Sequence, residues 1–244
     1  MPDGPVAPSP DAAADGAVDA PAPDPVAVLV AKDGNDTHDG IHMPVETLKR
    51  ALAIAAADPR VTEIVMGTGS YTTRDGETFP YTVPRGLEIA GPVGGGVILV
   101  GTDAETGLVF SGGGQLQDVE LDHFKLAIDA GGELRIKNVR IASSATGIHG
   151  GGSARLRITD LELAGTTSNG TQCPVGISLQ GAAELFVTTL TARDIEPTLT
   201  GLLCPGDQLL QNFQPGLDLP GLRIRHRNLH PPKRFTEVTV VLTK

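Results

Sequence analysis

Aromatic residues are scarce in this sequence. Trp is absent, and the 244 residues include only two Tyr and six Phe. Large rings supply much of the buried surface in most globular cores, so a globular enzyme core of this length is not expected. Stacked coils bury columns of Val, Ile and Leu and need no rings. The composition therefore favours a core of repeated strands.

Long apolar runs, excess positive charge and cysteine clusters are absent as well. No apolar run approaches the ~18 residues of a membrane-spanning helix, so we predict no membrane span. The formal net charge of −10 argues against nucleic acid as a partner, because that binding depends on neutralising phosphates. The two Cys residues form no Cys-x-x-Cys pair, so we predict no structural metal and no cofactor.

Glycine is abundant by contrast, with 31 residues, and it recurs within a repeat. Between Leu108 and Ala192 the chain carries nearly the same pattern four times: a Gly-rich turn, a short strand, a polar residue and another short strand. The steps between equivalent positions are 20, 22 and 29 residues, and the last step contains an insertion, 166–174. A period of this size indicates a solenoid. The equivalent positions are Val119, Val139, Leu161 and Leu190.

Apolar and polar residues alternate within each repeat, which is the pattern of a half-buried strand. One repeat cannot bury its apolar face alone, but stacked repeats can, because their strands pair in register about 4.8 Å apart. The sequence therefore predicts an all-β fold, a single-stranded parallel β-helix. The predicted inward residues are Leu116, Val119 and Leu121, then Ile136, Val139 and Ile141, then Ile158, Leu161 and Leu163, then Val187, Leu190 and Ala192.

Two further columns follow from this register. A polar residue precedes each of the equivalent positions of the repeat. Asn and Asp tolerate the left-handed backbone that a tight corner requires. The outward residues Glu120, Arg140 and Glu162 alternate in charge, so neighbouring coils are expected to form exposed ion pairs worth about 0–1 kcal/mol each. The predicted corner residues are Asp118, Asn138, Asp160 and Thr189.

A helix is predicted upstream of the repeat, over residues 44–57. Pro44 suits its first position, and Asp58 followed by Pro59 ends it. One apolar stripe runs along this segment, and such a helix is expected to plug the open end of the coil stack. The stripe consists of Val45, Leu48, Ala51, Leu52 and Ala55.

The same region resembles the N-terminal half of the bacterial DUF1565 family, a pectate-lyase-like group. Together with the repeat, the resemblance covers roughly residues 30–197. It implies a right-handed parallel β-helix and no known activity. The motifs that carry it are Val30-Ala-Lys-Asp-Gly-Asn-Asp36, Gly40, Met43-Pro-Val-Glu-Thr-Leu-Lys-Arg-Ala-Leu52, Ile64-Val-Met-Gly-Thr-Gly-Ser-Tyr71, Gly76-Glu-Thr-Phe-Pro80 and Gly86-Leu-Glu-Ile-Ala-Gly91.

Three segments are expected in the chain. Residues 1–25 hold seven Pro, seven Ala and five Asp without Lys or Arg, which is typical of a disordered tether. Residues 26–200 form the β-helix domain. Residues 201–244 are predicted to be irregular and basic, with six Lys or Arg against one Glu after position 220. Two interpretations of this end stay open, a basic tail and an aberrant or truncated terminus.

The candidate ligand contacts form an outward column. Alignment of the repeats places Phe110, Asp129, His149 and Ser178 at one position of successive coils. Their neighbours Val109, Ile128, Ile148 and Ile177 are predicted to face the core. Asp129 is placed to hydrogen-bond His149, with Ser178 beside it, but an exposed ladder lacks the oxyanion hole of a Ser–His–Asp enzyme. We therefore assign no catalytic residue and take Asp129, His149 and Ser178 as ligand-contact candidates.

A second candidate is the acidic segment 33–40. An EF-hand needs Gly at its sixth position and Glu at its twelfth, whereas counting from Asp33 gives His38 and Pro44. An irregular Ca²⁺ site of Asp33, Asn35 and Asp39 stays open against the simpler interpretation, a polar turn held by side-chain to backbone hydrogen bonds.

The functional hypothesis is an exported, tethered, non-enzymatic surface protein that contacts extracellular polysaccharide. No signal sequence is visible at the start of the chain, so an extracytoplasmic location is an expectation from the tether. The alternative is a polysaccharide lyase or glycoside hydrolase of the pectate-lyase-like class. Inverting hydrolysis needs two carboxylates facing one groove, and the repeat alignment places no such pair. Arg135 and Lys137 are interpreted as outward residues of a strand. The sequence leaves the oligomeric state open.

Cys173 and Cys204 are predicted to form one intramolecular disulfide when the protein matures outside the cytoplasm. Their separation matches one coil with an insertion, and stacked coils about 4.8 Å apart satisfy the Cα separation of about 4.4–6.8 Å that a disulfide needs. The bond would close a loop of about 30 residues and contribute roughly 3–4 kcal/mol. Thiol counting on unfolded, unreduced protein should find none; two thiols per chain would contradict both the bond and the extracytoplasmic location.

Overall fold

The computed structural model describes residues 24–164, 175–180, 183–195, 210–211, 222–226 and 235–242. Helix is limited in this part of the chain to α1 (Leu48–Ala57) and a single 3₁₀ turn, Thr73–Asp75. No helix in the described ranges is long and apolar enough to cross a membrane. The strands, in chain order, are β1 (Val26–Val30), β2 (Val61–Met66), β3 (Gly69–Thr72), β4 (Tyr81–Thr82), β5 (Glu88–Ala90), β6 (Val97–Val100), β7 (Thr106–Phe110), β8 (Gly114–Gln117), β9 (Val119–Asp122), β10 (Leu126–Ala130), β11 (Glu133–Lys137), β12 (Val139–Ala142), β13 (Thr146–Gly150), β14 (Arg155–Ile158), β15 (Leu161–Ala164), β16 (Val175–Leu179), β17 (Glu184–Val187), β18 (Thr189–Ile195), β19 (Leu210–Gln211), β20 (Leu222–His226) and β21 (Phe235–Leu242).

The strands form three sheets that run along the stack of coils. The first sheet has the order β1-β2-β5-β8-β11-β14-β17, and the second has the order β19-β16-β13-β10-β7-β4. The third has the order β20-β21-β18-β15-β12-β9-β6-β3. From β2 to β19 the chain visits the first, third and second sheets in turn, and the successive strands of each sheet pair in parallel up to that point. The predicted parallel β-helix is confirmed.

The predicted register is confirmed in the first and third sheets. Val139 pairs with Leu161, and Leu161 pairs with Leu190. Ile136 lies between Leu116 and Ile158 in adjacent strands, and its side chain is fully buried. Apolar side chains of successive coils therefore stack into continuous columns, which bury what a single coil would leave exposed.

The predicted corner is confirmed at two of its four positions. Asp118 and Asn138 have φ angles of 56° and 49°, and the Asn138 amide donates a hydrogen bond of 2.5 Å to the Asp118 carboxylate. The prediction was wrong for Asp160 and Thr189, because the left-handed residues of the described chain include neither of them.

The predicted charge column is confirmed on the third sheet. Arg140 bonds to Glu120 of the preceding coil, and its Nε lies 3.5 Å from the Glu162 carboxylate of the next coil. These side chains are 23% to 43% exposed, so the ion pairs add little stability and mainly help to align neighbouring coils.

Regular coils begin well before the repeat that the sequence reveals. The motif residues of the family resemblance contribute to β2, β3 and β5, and β2 pairs in parallel with β5 as β3 does with β6. Strands here are short, three to six residues in β2, β3, β5 and β6, and turns of differing length separate them. Because the turns differ in length, no fixed period is visible in this part of the sequence, although the strands still pair regularly.

The helix begins later than predicted. Pro44 does not start it, because Val45 still pairs with Val30 as an extended residue. Thr47 is the N-cap, and its side chain accepts a hydrogen bond from the amide of Arg50. The Asp36 carboxylate accepts bonds from the amides of Glu46 and Thr47, both 2.9 Å long. These bonds hold the chain extended up to Thr47, so α1 starts at Leu48.

The apolar stripe of the helix is confirmed except for Val45, which is buried but precedes the helix. Leu48, Ala51, Leu52 and Ala55 are buried, and α1 packs against β1 and β2. Since β1 is the end strand of the first sheet, the helix lies at the N-terminal end of the stack, where the sequence places a plug.

A buried carboxylate anchors this helix. Glu77, 2% exposed, accepts hydrogen bonds from the amides of Leu48 at 2.9 Å and Lys49 at 3.3 Å. The hydroxyl of Tyr81 also donates to Glu77. Burial raises the pKa of the Glu77 carboxyl above its ordinary value, although the three donors act in the opposite direction. The first turn of α1 therefore depends on a side chain 29 residues further along the chain.

The C-terminal segment is not irregular throughout. Its described parts are the strands β19, β20 and β21. β21 pairs antiparallel with β18 and β20 pairs antiparallel with β21, so the third sheet changes from parallel to antiparallel pairing. Most of the predicted tether, residues 1–23, lies outside the described residues.

Candidate functional site

The outward column of the second sheet is the site that the sequence predicts. Asp129 in β10 pairs with His149 in β13, and His149 pairs with Ser178 in β16. Ile128, Ile148 and Ile177 precede them and are fully buried. Because side chains alternate across a strand, the buried Ile column directs the polar column to the outer surface.

The prediction was wrong for one member of the column, Phe110. Phe110 pairs with Ala130, one position away from Asp129, and its side chain is fully buried. Val109, which was predicted to face the core, instead pairs with Asp129 and lies in the outward column. The predicted register was one residue out in this coil because its Gly residues were aligned with those of the later coils. A slip of one residue turns an inward ring outward, and a large ring at this position is stable only in the core.

The column contains one short polar contact. His149 Nδ1 lies 2.8 Å from Asp129 Oδ1, and the two side chains are 28% and 40% exposed. An ionised carboxylate can only accept a hydrogen bond, so Nδ1 carries the proton. This bond fixes the ring orientation and leaves Nε2 without a partner among the described residues. A Cβ on Gly151 would lie 3.3 Å from His149 Cε1, so this glycine gives the ring room.

Ser178 stands beside His149 without bonding to it. The two residues are register partners, yet no hydrogen bond joins them in the described structure, and Ser178 is partly exposed. The Asp129–His149 step of a Ser–His–Asp relay is therefore present, whereas the Ser–His step is not. As it stands, the column offers a carboxylate oxygen, an imidazole nitrogen and a hydroxyl to a ligand.

The calcium candidate lies in the loop between β1 and α1. Asn35 Oδ1 accepts hydrogen bonds from the amide and hydroxyl of Thr37. Asp39 accepts bonds from the amides of Ile41 and His42 and from His42 Nδ1, which hold the pKa of this carboxyl well below its usual range. These side chains brace the loop, as the polar-turn interpretation states. Among the described residues no three His, Cys, Asp or Glu side chains are grouped to hold a metal ion.

The predicted disulfide cannot be placed in the fold. Cys173 and Cys204 both lie outside the described residues, so their pairing stays a prediction.

The outer face of the first sheet carries a second column that sequence reasoning missed. Its residues are consecutive register partners from β2 to β17. We call it the first-sheet column. Arg135 and Lys137 are exposed strand residues, as predicted, and Arg135 belongs to the column. Its members, in order along the stack, are Glu63, Glu88, Gln115, Arg135, Arg157 and Phe186.

Charge is segregated along the first-sheet column. Glu63 and Glu88 are adjacent, and the Gln115 amide donates a 2.8 Å hydrogen bond to Glu88. Burial and the neighbouring Glu63 charge raise the pKa of the Glu88 carboxyl. Further along the stack, the Arg157 guanidinium lies 4.9 Å from the ring centroid of Phe186. Alternation in β11 and β14, where exposed Arg135 and Arg157 precede buried Ile136 and Ile158, was the sequence signal for this column.

Comparison with known proteins identifies one family. The family model described as "Protein of unknown function (DUF1565)" matches residues 32–192. No curated protein and no solved structure matches the chain. The resemblance found in the sequence is confirmed, and the family description names no activity.

Proposed function

The chain belongs to the DUF1565 family, and we propose from this starting point that it is an exported, tethered β-helix that contacts carbohydrate without transforming it. The observation that carries the proposal is the outward ladder of Asp129, His149 and Ser178, with its 2.8 Å bond between His149 and Asp129. A ligand that meets this ladder finds a His149 ring whose orientation is already fixed by Asp129. Preorganised polar groups reduce the ordering cost of binding.

The chemistry of the ladder suits sugar hydroxyl groups. The second oxygen of Asp129 accepts hydrogen bonds, and His149 Nε2 and the Ser178 hydroxyl add an imidazole and a hydroxyl partner. Rungs about 4.8 Å apart along a rigid sheet are spaced about one sugar ring from each other. A linear polysaccharide lying along the stack would therefore meet one rung after another.

The non-enzymatic part of the proposal rests on the neighbours of Asp129. Its register partners are Val109 on one side and His149 on the other, so a single carboxylate serves this column. Glycoside hydrolysis uses two carboxyl groups that flank the scissile bond. The Pro-, Ala- and Asp-rich residues 1–25 support the tether and the extracytoplasmic location, which the thiol count described above tests.

We expect the purified chain to bind at least one member of a panel of immobilised extracellular polysaccharides, and His149→Ala and Asp129→Asn to weaken that binding. Loss of one or two hydrogen bonds should raise Kd about tenfold, equivalent to about 1.4 kcal/mol. The readout is surface plasmon resonance on the panel.

A matched control lies at the end of β9 in the third sheet. His123 Nδ1 lies 2.9 Å from the Asp122 carboxylate, so His123→Ala removes an equivalent His–Asp contact away from the ladder. It should leave Kd unchanged. Equal losses for His123→Ala and His149→Ala, or no binding to any polysaccharide, would contradict the proposal.

A second candidate function is hydrolysis or lyase cleavage of a polysaccharide. Glu63 and Glu88 occupy adjacent strands of the first-sheet column, whose backbones lie about 4.8 Å apart, and retaining glycosidases use two carboxyl groups about 5–5.5 Å apart. They lie side by side on one face, however, instead of on opposite sides of a groove. New absorbance at 235 nm or new reducing ends from uronic-acid polymers, lost in Glu88→Gln, would establish this function in place of the first.

A further inference from the structure

The first-sheet column is symmetric about its centre. β8, which carries Gln115, is the middle strand of the seven-stranded first sheet. Glu88 lies one strand before Gln115 and Arg135 lies one strand after it. Glu63 lies two strands before, and Arg157 two strands after. Every carboxylate of the column therefore has a guanidinium at the same distance on the other side of Gln115.

From this symmetry we propose that the outer face of the first sheet binds the same face of a second copy of this chain. The two-fold axis would run parallel to β8, midway between the two facing sheets. The strand order of the partner would then run in the opposite direction. Glu88 of each copy would then face Arg135 of the other, and Glu63 would face Arg157. Two kinds of ion pair would form, each of them twice, with Gln115 meeting its own counterpart. Such an interface is isologous, like those of most homodimers.

The charges on each half are unbalanced within one copy. No salt bridge reaches Glu63 or Glu88 in the described part of the chain, and the one cation that acts on Glu88 there is the more distant Lys137. Arg135 and Arg157 both turn to one oxygen of Glu133, with guanidinium nitrogens at 3.3 Å and 3.2 Å. Two guanidinium groups thus share one carboxylate, while two carboxylates on the same face have no guanidinium. Contact between the faces would balance both halves.

The ends of the face are also complementary. Phe186 lies three strands after β8 and is 47% exposed. Ala27 lies three strands before β8, as the register partner of Glu63 on β1. The proposed axis places the Phe186 ring over the small Ala27 side chain, next to Leu29, which is 37% exposed. Each ion-pair row therefore ends in an apolar contact.

The size of the face predicts a weak dimer. Six strand intervals of about 4.8 Å and a strand length of about 15 Å give roughly 430 Å² per partner, or roughly 900 Å² in total. This is below the range of about 1,200–2,000 Å² for standard stable interfaces. Association should therefore be transient and should weaken as salt screens the ion pairs.

Sedimentation equilibrium of the full chain tests the proposal. We expect a monomer–dimer equilibrium at 50 mM NaCl with a dissociation constant that rises at least tenfold at 500 mM. Two double variants sharpen the test: Glu63→Arg with Glu88→Arg, and Arg135→Glu with Arg157→Glu. Each should be monomeric alone because like charges meet, and their mixture should form a heterodimer because opposite charges face each other again.

Two controls accompany these variants. All the changed side chains lie on the outer surface of the sheet, so thermal melting should resemble that of the original protein. Arg140→Glu reverses an exposed charge on the third sheet and should leave dimerisation unchanged. A monomeric original protein at low salt, a dimer that tolerates the reversals, or a mixture that stays monomeric would overturn the proposal. Binding of polygalacturonate to Arg135 and Arg157 of a monomeric protein would also overturn the proposal, because the face would then be a binding site for an anionic polymer.

Discussion

Ile136→Asp should leave the β-helix without a cooperative unfolding transition. Ile136 is 1% exposed and stacks between Leu116 and Ile158 in adjacent coils. An unpaired carboxylate at this depth costs several kcal/mol, to which the lost apolar contacts add about 2–5 kcal/mol. Typical domains are stable by only about 5–15 kcal/mol. Circular dichroism during thermal and urea unfolding measures the effect.

The control for this variant introduces the same charge at the surface. Thr159 directly follows the strand that holds Ile158 and is exposed, so Thr159→Asp should shift stability by less than about 0.5 kcal/mol. If Ile136→Asp melted cooperatively at the temperature of the original protein, the burial of this column and the register built on it would be wrong.

Glu77→Ala should destabilise the domain by about 3–5 kcal/mol. The substitution leaves the amides of Leu48 and Lys49 and the hydroxyl of Tyr81 without their acceptor, and each orphaned buried donor costs about 1–3 kcal/mol. Urea unfolding measures the loss. Glu46→Ala is the matched control, because it removes an exposed carboxylate just before the same helix and should cost less than about 1 kcal/mol.

The same carboxyl should make stability depend on pH. Burial raises the folded pKa of Glu77 above its ordinary value of 4.5, so the folded state holds this proton more tightly than the unfolded chain does. Its contribution is fully present below pH 4.5 and is lost as pH rises through the folded pKa. The free energy of unfolding of the original protein should therefore fall relative to that of Glu77→Gln between pH 4 and pH 7. A constant difference would show that the carboxyl titrates normally.

Alternation and repeat length were sufficient to predict the later coils. Inward positions must be apolar because one side of each strand faces the core, and equal coil lengths let the residues be aligned by counting. Ile136, Val139 and Ile158 were placed correctly on this basis. The contact between Asp129 and His149 followed from the same count, since both lie in coils 20 residues apart.

Counting failed where local geometry was ambiguous. Phe110 was placed one position out because flexible glycines near it can be aligned in more than one way, and only its burial shows the correct face. The start of α1 was misplaced because Pro44 fits both a helix start and an extended strand. Hydrogen bonds that the backbone amides of Glu46 and Thr47 donate to the Asp36 carboxylate select the extended form.

Local sequence pattern thus established the fold class, the core columns and the Asp129–His149 rung, because strand alternation and regular coil length are short-range properties. The tertiary structure alone placed Glu63 and Glu88 in the first-sheet column. Glu63 and Glu88 are 25 residues apart, and Glu88 and Gln115 are 27 apart, against 20 for Gln115 and Arg135. Coils of unequal length align their strands only when backbone hydrogen bonds bring them together, so the charge symmetry of this face depends on pairing in space.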